Sequence, residues 1–294
     1  MFGCFLVWYC AARSEVWMRI AITGHKGQLG TALQEALAGH DLLGLDLPEH
    51  DVEDAPALRK ALLDFGPAVV LHAAAYTDVD GCARDPERAL RANALGTQNV
   101  ALACQAGDAT LLYVSTNEVF PGDREQPYLE YDPPHPINSY GYSKWVGERY
   151  VEQLCRRFYI VRVSWLFGGP RGFVTRILSL SEQKPELAVV ADEYGSPTYV
   201  RDLAAAIARL IESDRYGIYH LVNEGACSRY EFAQEILHRA GKAGYPLRPI
   251  CLADYRRDST PPPRAVLHNY AAATALGIRL RPWREALAAC LQER

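Results

Sequence analysis

Residues 18–39 read MRIAITGHKGQLGTALQEALAG: a short apolar run, three glycines spaced three apart, and a segment with helical periodicity. The run 19–23 predicts a buried strand, and residues 27–39, which end in glycine, predict a helix. Glycines allow a tight turn and the close approach of another molecule to the backbone, and the free N–H groups of a helix N-terminus attract phosphate. At this first strand–helix junction the pattern favours a dinucleotide-binding loop over a purely structural turn.

The same alternation of strand and helix continues along the chain. Strands are predicted at 41–46, 68–75, 110–116 and 158–165, and helices after Asp54, over 85–106 and over 139–155. The strands are nearly continuous apolar runs, which is typical of parallel strands buried on both faces. The sequence therefore predicts an α/β fold, a Rossmann-like doubly wound parallel sheet.

The pattern changes after Trp165, where glycines, prolines and short elements interleave. A helix at 202–212, a strand at 217–222 and a helix at 229–241 follow, and then the proline-rich stretch DSTPPPRAVLHN (258–269), which cannot form regular structure. We expect residues 18–166 to form an NAD(P)-binding Rossmann domain to which elements near 187–212 return. Residues 167–294 would form mainly a smaller C-terminal substrate-binding domain.

Residues 1–17 precede this pattern. Their apolar part, MFGCFLVWYCAA, is only about a dozen residues long, too short to span a bilayer, and lacks a basic n-region. We interpret residues 1–17 as an N-terminal extension outside the core fold. The alternative is a short segment that lies on a membrane surface or packs against the domain.

Composition excludes several classes of protein. The 294 residues carry a net charge of −4 with no long basic run, which argues against a nucleic-acid partner. No segment is long and apolar enough to predict a membrane span. The eight cysteines are scattered, without the spacing of a zinc site or a disulfide framework. Reduced thiols and a cytoplasmic location are expected.

Asp46 ends the second predicted strand about twenty residues after the glycine loop, where a carboxylate can accept the adenosine ribose hydroxyls. No arginine follows it directly to bind a 2′-phosphate, so the sequence slightly favours NADH over NADPH. Asp46 as a loop or cap residue is the competing interpretation. Asp51 and Val52 lie near enough to reach an adenine.

The helix predicted at 139–155 carries YGYSKWVGE (140–148). Tyr140 and Lys144 are four residues apart and share a face, so the lysine could lower the tyrosine pKa from its ordinary value of about 10. Tyr142 points about 200° away and has no such partner. Thr116 ends the fourth strand, at the edge of the sheet where ligands bind, and its hydroxyl could hydrogen-bond a substrate carbonyl. Together these residues predict a reductase site.

These motifs resemble the extended short-chain dehydrogenase/reductases over nearly the whole chain from Met18. The resemblance also rests on AAAYTDVDGCARDPERALRANALGTQN (73–99), STNEVFPG (115–122), VRVSWLFG (161–168) and GSPTYVRDLA (195–204). Within this family, the sequence is most similar in its motifs to the members that reduce the C4 keto group of dTDP-4-dehydro-L-rhamnose to give dTDP-L-rhamnose. It implies NADH or NADPH as cofactor and a nucleotide-sugar substrate. It allows a homodimer and an interfacial Mg²⁺, although no metal ligands can be located in this sequence.

The resemblance also implies roles for individual residues. Tyr140 would be the general acid, Lys144 would lower its pKa and hold the nicotinamide ribose, and Thr116 would polarise the C4 carbonyl. Asn117 and Trp165 would face the sugar nucleotide. The remaining cofactor contacts would be Gly24, Gly27, Gln28, Leu29, Asp46, Asp51, Val52, Ala74, Ala75 and Thr77.

Two departures from the family pattern stand near this site. The family usually reads STDYVF, whereas Asn117 and Glu118 replace the Asp-Tyr pair here. Pro261 stands where the family often has an arginine, which leaves Arg264 as the nearest base for a substrate diphosphate.

Two alternatives remain open from the sequence. One is a sugar-nucleotide epimerase or dehydratase on the same scaffold, which recycles its nicotinamide. The other is a non-catalytic dinucleotide-binding subunit that regulates a methionine-adenosyl-transferring enzyme. The presence of Thr116, Tyr140 and Lys144 argues against the second, although fold alone does not imply function.

Overall fold

The computed structural model describes residues 17–293, so the predicted extension lies outside the described residues except for Trp17. The strands are β1 (Arg19–Thr23), β2 (Asp41–Leu45), β3 (Val69–His72), β4 (Thr110–Thr116), β5 (Phe158–Val163), β6 (Leu166–Phe167), β7 (Leu187–Val190), β8 (Tyr194–Gly195), β9 (Thr198–Tyr199), β10 (Gly217–His220), β11 (Cys227–Ser228) and β12 (Leu247–Ile250). The α-helices are α1 (Gln28–Ala36), α2 (Ala55–Phe65), α3 (Val79–Arg84), α4 (Pro86–Ala89), α5 (Gly96–Gly107), α6 (Ser139–Leu154), α7 (Phe173–Gln183), α8 (Val200–Ile211), α9 (Arg229–Arg239), α10 (Tyr270–Leu276) and α11 (Trp283–Gln292).

The main sheet of the described chain has six strands in the order β2-β1-β3-β4-β5-β10, and every pair is parallel. The predicted α/β fold is therefore confirmed. The strand order reverses between β1 and β3, which in open α/β sheets is where a ligand binds beyond the carboxyl ends of the strands. The glycine loop follows β1 at this point, so the fold places it beside the crevice.

Both faces of the sheet are covered by helices. Neighbouring residues of each strand point to opposite faces, so they pack into two different hydrophobic clusters. Ile20 and Ile22 of β1 pack into a cluster that also contains α1, α7 and α8. Ala21 packs into a second cluster with α2, α5 and α6. This two-sided burial explains the continuous apolar runs in the sequence.

The helices differ more from the predictions than the strands do. The helix predicted over 85–106 is composed of α4, a π-helical segment (Leu90–Leu95) and α5. Helix α7 lies in a region where the sequence predicted only short elements, and α3 was also missed. Helix α7 follows the glycine- and proline-containing segment 168–172, whose turn signals conceal the helical spacing, and α3 is only six residues long.

Elements from the second half of the chain pack onto the sheet formed by the first half. Strand β10 extends the main sheet beside β5, and Leu203 and Ile207 of α8 pack in the same cluster as α1. The proline-rich stretch (258–269) contains no helix or strand, as predicted, and touches other segments through isolated bridges such as Tyr194–Arg264. Among the described residues, no helix is both long and apolar enough to cross a membrane.

Candidate active site

The loop after β1 forms a cradle that only glycine can line. Gly24 has a φ of +74°, and a Cβ there would lie 2.7 Å from the backbone nitrogen of Ala74. A Cβ on Gly30 would lie 2.2 Å from the carbonyl oxygen of Gly24. Gly27 caps α1 without a side-chain hydrogen bond, so the first N–H groups of that helix are available to an anion. This cradle fits the pyrophosphate of a dinucleotide.

Gln28 and Leu29 extend from the cradle in different directions. The Leu29 side chain is buried in the core, which leaves only its backbone for a phosphate. The Gln28 side chain reaches the segment after β6, where a Cβ on Gly169 would lie 2.6 Å from Gln28 Oε1. Gln28 therefore joins the glycine loop to the second half of the chain.

Asp46 lies directly after β2, beside the glycine loop. Its two carboxylate oxygens accept the backbone N–H groups of Lys26 at 2.9 Å and of Leu47 at 2.8 Å. The ammonium group of Lys26 donates to the Leu47 carbonyl and to Glu49. The sequence provided no arginine here, but the structure places this lysine at the same turn.

Asp51 and Val52 form the next part of this edge. Asp51 accepts the N–H of Glu53 at 2.9 Å, and the Val52 carbonyl accepts the side-chain amide of Asn99 at 2.9 Å. Val52 packs on Gly96, where a Cβ would lie 2.7 Å from it. Helix α5 thus holds the segment predicted to surround the adenosine.

Residues 74–77 are fixed by Asn93, which the sequence analysis missed. Asn93 lies in the π-helical segment, and its side chain accepts the Tyr76 N–H at 2.7 Å and donates to the Tyr76 carbonyl at 3.0 Å. It also donates to the Ser143 hydroxyl on α6 at 3.0 Å. One buried amide therefore connects the predicted Ala74, Ala75 and Thr77 loop to the helix of Tyr140. No local pattern marks it, because its partners are distant in sequence.

The end of β3 is held by a second buried polar chain. His72 Nδ1 lies 2.7 Å from the Thr23 hydroxyl, and Nε2 lies 3.0 Å from the Thr97 hydroxyl. Burial, and secondarily the charge of Lys144, lower the pKa of His72 to about 3. His72 is therefore neutral at pH 7 and acts as part of the scaffold.

Thr116 and Tyr140 meet at the carboxyl edge of the sheet. Thr116 is 5% exposed, and its hydroxyl donates to Asn117 Oδ1 at 3.4 Å and accepts the Glu118 N–H at 3.2 Å. Burial and then the Glu118 carboxylate raise the pKa of Tyr140, while the nearby Thr116 hydroxyl lowers it. Burial is the largest of these causes, so the net shift of the Tyr140 pKa is upward, opposite to the direction that a neighbouring lysine alone would give. Tyr140 thus holds its proton at neutral pH.

Lys144 is only 2% exposed, and its ammonium lies 4.2 Å from the centre of the Tyr113 ring. Burial lowers the pKa of Lys144 to about 7, although the Glu148 carboxylate opposes this shift. Glu148 forms a buried ion pair with Arg162 at 2.7 Å and accepts the Ser115 hydroxyl at 2.6 Å. The Glu148 carboxylate is therefore held in place between β4 and α6, where it favours the charged form of Lys144.

Asn117 and Asn138 attach the proline-rich stretch to the site. The amide of Asn117 donates to the Ala265 carbonyl at 3.2 Å and so holds this segment beside Thr116. Asn138 caps α6 and donates to Glu118 at 2.7 Å and to the Thr260 carbonyl at 3.0 Å. The helix of Tyr140 and the proline-rich stretch are thereby fixed to each other.

Trp165 follows β5 with a φ of +44° and is half-buried. It packs on Gly195, where a Cβ would lie 2.4 Å from the indole. The guanidinium carbon of Arg229 lies 3.5 Å from the centre of the Trp165 ring, and Glu193 accepts from Arg229 Nε at 3.0 Å. Trp165 therefore supports a charged group at the side of a cavity.

This cavity has a volume of about 990 Å³ and extends from Thr77 to α7 and β7. Apolar side chains such as Phe173 and Leu187 form part of its wall. Its lining also contains five basic side chains, Arg171, Arg176, Lys184, Arg229 and Arg257, and two acidic ones, Glu186 and Glu193. The local excess of positive charge contrasts with the net charge of −4 of the whole chain.

Arg264, the base nearest Pro261 in sequence, does not line this cavity. Its guanidinium stacks 4.4 Å from the centre of the Tyr194 ring and donates to the Glu125 carbonyl. Arg257 lies at the cavity instead, held by Asp80 at 3.0 Å. Arg264, the nearest base to Pro261 in sequence, therefore stacks on Tyr194, and Arg257 is the base from this segment that lines the cavity.

No group of three or more His, Cys, Asp or Glu side chains within residues 17–293 could hold a metal ion. The structure offers two places for anionic groups. One is the glycine cradle, and the other is the cavity lined by basic side chains. The carboxyl edge of the sheet also carries the protonated Tyr140 phenol and the Thr116 hydroxyl. This combination is suited to proton donation beside a bound dinucleotide.

A dinucleotide cradle on a doubly wound sheet, with a tyrosine and a lysine one helical turn apart, defines the class of short-chain dehydrogenases and reductases. Within that class, the chain belongs to the family described as the RmlD substrate binding domain, whose model matches residues 18–294.

Similar proteins carry related names. The spore coat polysaccharide biosynthesis protein SpsK of Bacillus subtilis is 38% identical over 94% of this chain and 98% of its own length. A dTDP-4-dehydrorhamnose reductase of Mycolicibacterium smegmatis is 38% identical over 92% of this chain and 84% of its own. The crystal structure of the Bacillus anthracis dTDP-4-dehydrorhamnose reductase in complex with NADP has a TM-score of 0.92 and 36% identity, covering 95% of this chain and all of that one.

Proposed function

We propose that the protein is an NAD(P)H-dependent reductase of dTDP-4-dehydro-L-rhamnose. The dinucleotide would supply a hydride to C4, the C4 oxygen would take a proton, and the products would be dTDP-L-rhamnose and NAD(P)⁺. The observation that carries this proposal is the contact between Thr116 and Tyr140 at the carboxyl edge of the sheet, the edge at which the glycine cradle also lies. The relatives named as this reductase, one of them bound to NADP, support the substrate and the cofactor.

In this reaction each residue has a chemical role. The Thr116 hydroxyl would donate to the C4 carbonyl, and Tyr140, which its own surroundings keep protonated, would give its proton to the developing alkoxide. The Lys144 ammonium would hold the nicotinamide ribose and stabilise the tyrosinate left after transfer. The remaining proposed dinucleotide contacts are Gly24, Gly27, Gln28, Leu29, Asp46, Asp51, Val52, Ala74, Ala75 and Thr77.

The cavity between α7 and β7 would receive the nucleoside diphosphate of the substrate. A volume of about 990 Å³ is sufficient for a ligand of this size. Two basic groups of its lining, Arg229 and Arg257, lie near enough to the catalytic loop to lower the pKa of Glu118, two residues after Thr116, although burial raises that pKa more. A diphosphate bound there would place its sugar toward the Tyr140 hydroxyl, with Trp165 beside it.

Arg257 provides a test of this substrate site. In Arg257→Ala we expect KM for the sugar nucleotide to rise about tenfold while kcat changes less than about twofold, because a charge-assisted contact is lost equally from ground and transition states. Steady-state kinetics at saturating NADPH measures both quantities. Arg239→Ala is the matched control, because Arg239 also forms an ion pair with a partly buried partner, Glu235, but lies outside the cavity. An unchanged KM in Arg257→Ala would contradict this placement of the diphosphate.

The proposed reaction itself is tested by NAD(P)H oxidation with dTDP-4-dehydro-L-rhamnose, followed by absorbance, against GDP- and UDP-linked ketosugars. Stoichiometric oxidation with the dTDP sugar is expected. An epimerase or dehydratase would convert sugar without net consumption of NAD(P)H, and a regulatory subunit would bind the dinucleotide without turnover. Either result would refute the reductase assignment.

We also propose how the chain is divided. Residues 18–166, with elements near 187–212, would form the dinucleotide-binding part, and residues 167–294 would form mainly the substrate-binding part.

A cytoplasmic location is proposed because the six described cysteines are all free thiols. A homodimer is proposed from the exposed apolar side chains Leu95, Leu102 and Tyr142 on the π-helical segment, α5 and α6, and sedimentation would measure it.

A further inference from the structure

Glu118 is packed against the first turn of the helix that carries Tyr140. The Asn138 side chain donates to Glu118 Oε2 at 2.7 Å and, through its own oxygen, accepts the Gly141 N–H at 2.8 Å. The Glu118 carbonyl oxygen lies so near this turn that a Cβ on Gly141 would collide with it. The Glu118 N–H donates to the Thr116 hydroxyl at 3.2 Å. Glu118 is therefore held beside both residues of the Thr116–Tyr140 contact.

The Glu118 carboxylate and the Tyr140 phenol are electrostatically coupled. After burial, the carboxylate is the largest cause of the raised pKa of Tyr140, while the Thr116 hydroxyl lowers it. Burial also raises the pKa of Glu118, and the hydrogen bond from Asn138 opposes that shift. The other titratable or charged groups that face the pair are Cys82 on α3, Glu193, Arg229 on α9 and Arg257. A negative charge thus lies beside the hydroxyl that would give up a proton, and it keeps that proton in place before a substrate binds.

Transfer of the Tyr140 proton to the substrate would leave a phenolate next to the carboxylate. Two like charges this close interact unfavourably, so the pair gains affinity for one proton as a unit. That proton has to enter through a group in contact with water. Lys144, one helical turn after Tyr140, is 2% exposed and Cys82 is 0% exposed, whereas Glu118 is only half-buried. Among the titratable groups beside Tyr140 in residues 17–293, Glu118 is therefore the one that water reaches.

We infer that Glu118 returns the proton to Tyr140 after each turnover. This inference rests on the proposed function, because Tyr140 loses its proton only if it protonates the C4 oxygen. The Glu118 carboxylate takes up a proton from water, and its new O–H bond breaks as the phenolate oxygen of Tyr140 accepts that proton. The carboxylate is then restored, and one proton has left the solvent for each proton delivered to the C4 oxygen.

Proton return can be separated from a purely structural role of Glu118. A structural role needs only the Glu118 backbone and a hydrogen-bond acceptor for Asn138, and glutamine supplies both. Proton return needs a group that binds and releases a proton, which an amide does not do at neutral pH. Glu118→Gln therefore tests the inference, and Glu118→Asp keeps the carboxyl group on a shorter chain. Thermal melting verifies that both variants fold.

The matched control is Glu235→Gln. Glu235 is also a partly buried carboxylate, 19% exposed, and it accepts Arg239 Nε at 2.6 Å. It lies on α9 outside the lining of the cavity. Loss of its charge should therefore leave the Tyr140 proton unaffected.

Stopped-flow kinetics with NADPH and the dTDP ketosugar measures the two halves of the cycle. In Glu118→Gln the single-turnover rate constant should stay within about threefold of the wild type, because Tyr140 still carries a proton at the start. Steady-state kcat should fall about tenfold, after a burst of about one NADPH oxidised per site, because the phenolate accumulates. Added imidazole buffer should restore part of this kcat without changing that of the wild type. Glu118→Asp and Glu235→Gln should show neither the burst nor the fall.

A second measurement needs neither dinucleotide nor sugar. Tetranitromethane nitrates ionised tyrosines, and peptide mass spectrometry resolves Tyr140 from Tyr142. In Glu118→Gln the nitration rate of Tyr140 relative to Tyr142 should rise about tenfold at alkaline pH, because loss of the neighbouring charge lowers the pKa of Tyr140 by about one unit. Glu235→Gln should leave this ratio unchanged.

An unchanged nitration ratio in Glu118→Gln would show that the two groups are not coupled, and it would overturn the inference. So would an unchanged kcat, or an equal fall in kcat and in the single-turnover rate constant, which indicates a structural role. The reductase proposal fails separately. A wild type that oxidises no NADPH with the ketosugar refutes that proposal, while the nitration ratio still decides whether Glu118 controls the Tyr140 proton.

Discussion

Tyr140→Phe is expected to lower kcat by about two to four orders of magnitude, because it removes the only hydroxyl proposed to protonate the C4 oxygen. The Tyr140 ring is half-buried beside Thr116, so phenylalanine fits the same space and retains the packing. We expect Kd for NADPH to change less than about twofold, since the cradle and the Lys26 turn are unaffected. Single-turnover kinetics with the dTDP ketosugar and calorimetric titration of NADPH measure the two quantities separately.

Tyr142→Phe is the internal control for this experiment. Tyr142 lies on the same helix, is 47% exposed and packs against Trp145 at 5.8 Å between ring centres. Its substitution should leave kcat within about twofold of the wild type, because its hydroxyl faces away from Thr116. Near-normal turnover in Tyr140→Phe, or an equal loss in both variants, would contradict the role assigned to Tyr140.

Glu148→Gln is expected to destabilise the protein by about 3–5 kcal/mol, because it leaves the Arg162 guanidinium buried without a counter-charge. Both side chains of this pair are 2% exposed. Equilibrium unfolding in urea measures the loss in free energy of unfolding. The control is Glu152→Gln, whose partner Arg149 is half exposed on the same helix, and which should cost no more than about 1 kcal/mol. A loss in Glu148→Gln as small as that of the control would contradict this account.

The same substitution should alter the pH dependence of activity. Lys144 is charged below its pKa of about 7, so kcat/KM should fall as the pH rises through neutrality. The Glu148 carboxylate raises the Lys144 pKa, and its removal should therefore shift this descending limb to lower pH. A limb that stays in place in folded Glu148→Gln protein would mean that Lys144 does not control it.

The sequence predicted those parts of the fold that depend on local pattern. The glycine loop and the strand ending at Thr116 were predicted correctly, because a short buried run followed by its breaking residue is a local signal. The short helix α3 and the helix α7 were missed, since each follows turn-forming residues and is stabilised by packing against distant elements. Strand β10 was predicted as a strand, but its place beside β5 depends on the whole topology.

In the candidate site too, residues marked by a local sequence pattern were predicted, and residues placed by contacts between distant segments were not. Thr116 and Tyr140 were expected to approach each other because a strand end and a helix start lie next to the same crevice. Asn93 and Arg257 had no local signal, because the first acts through Tyr76 and Ser143 and the second through Asp80. The hydrogen bond from the Asn117 amide to the Ala265 carbonyl likewise had no local signal, because the two residues are far apart in sequence. Roles that depend on contacts between distant segments require the structure.

The proline-rich stretch (258–269) has a consequence for exchanging specificity between related enzymes. It is bound on one side by Asn117, Asn138 and Asp80, through Ala265, Thr260 and Ser259. On the other side its Pro263 carbonyl accepts the Tyr194 N–H at 2.8 Å, and Ser196 accepts the Leu267 N–H. The position of the stretch therefore depends on the side-chain amides of Asn117 and Asn138, which donate hydrogen bonds to its carbonyl groups. A chimera that imports this loop from a relative should function only when residues 117 and 138 are imported with it.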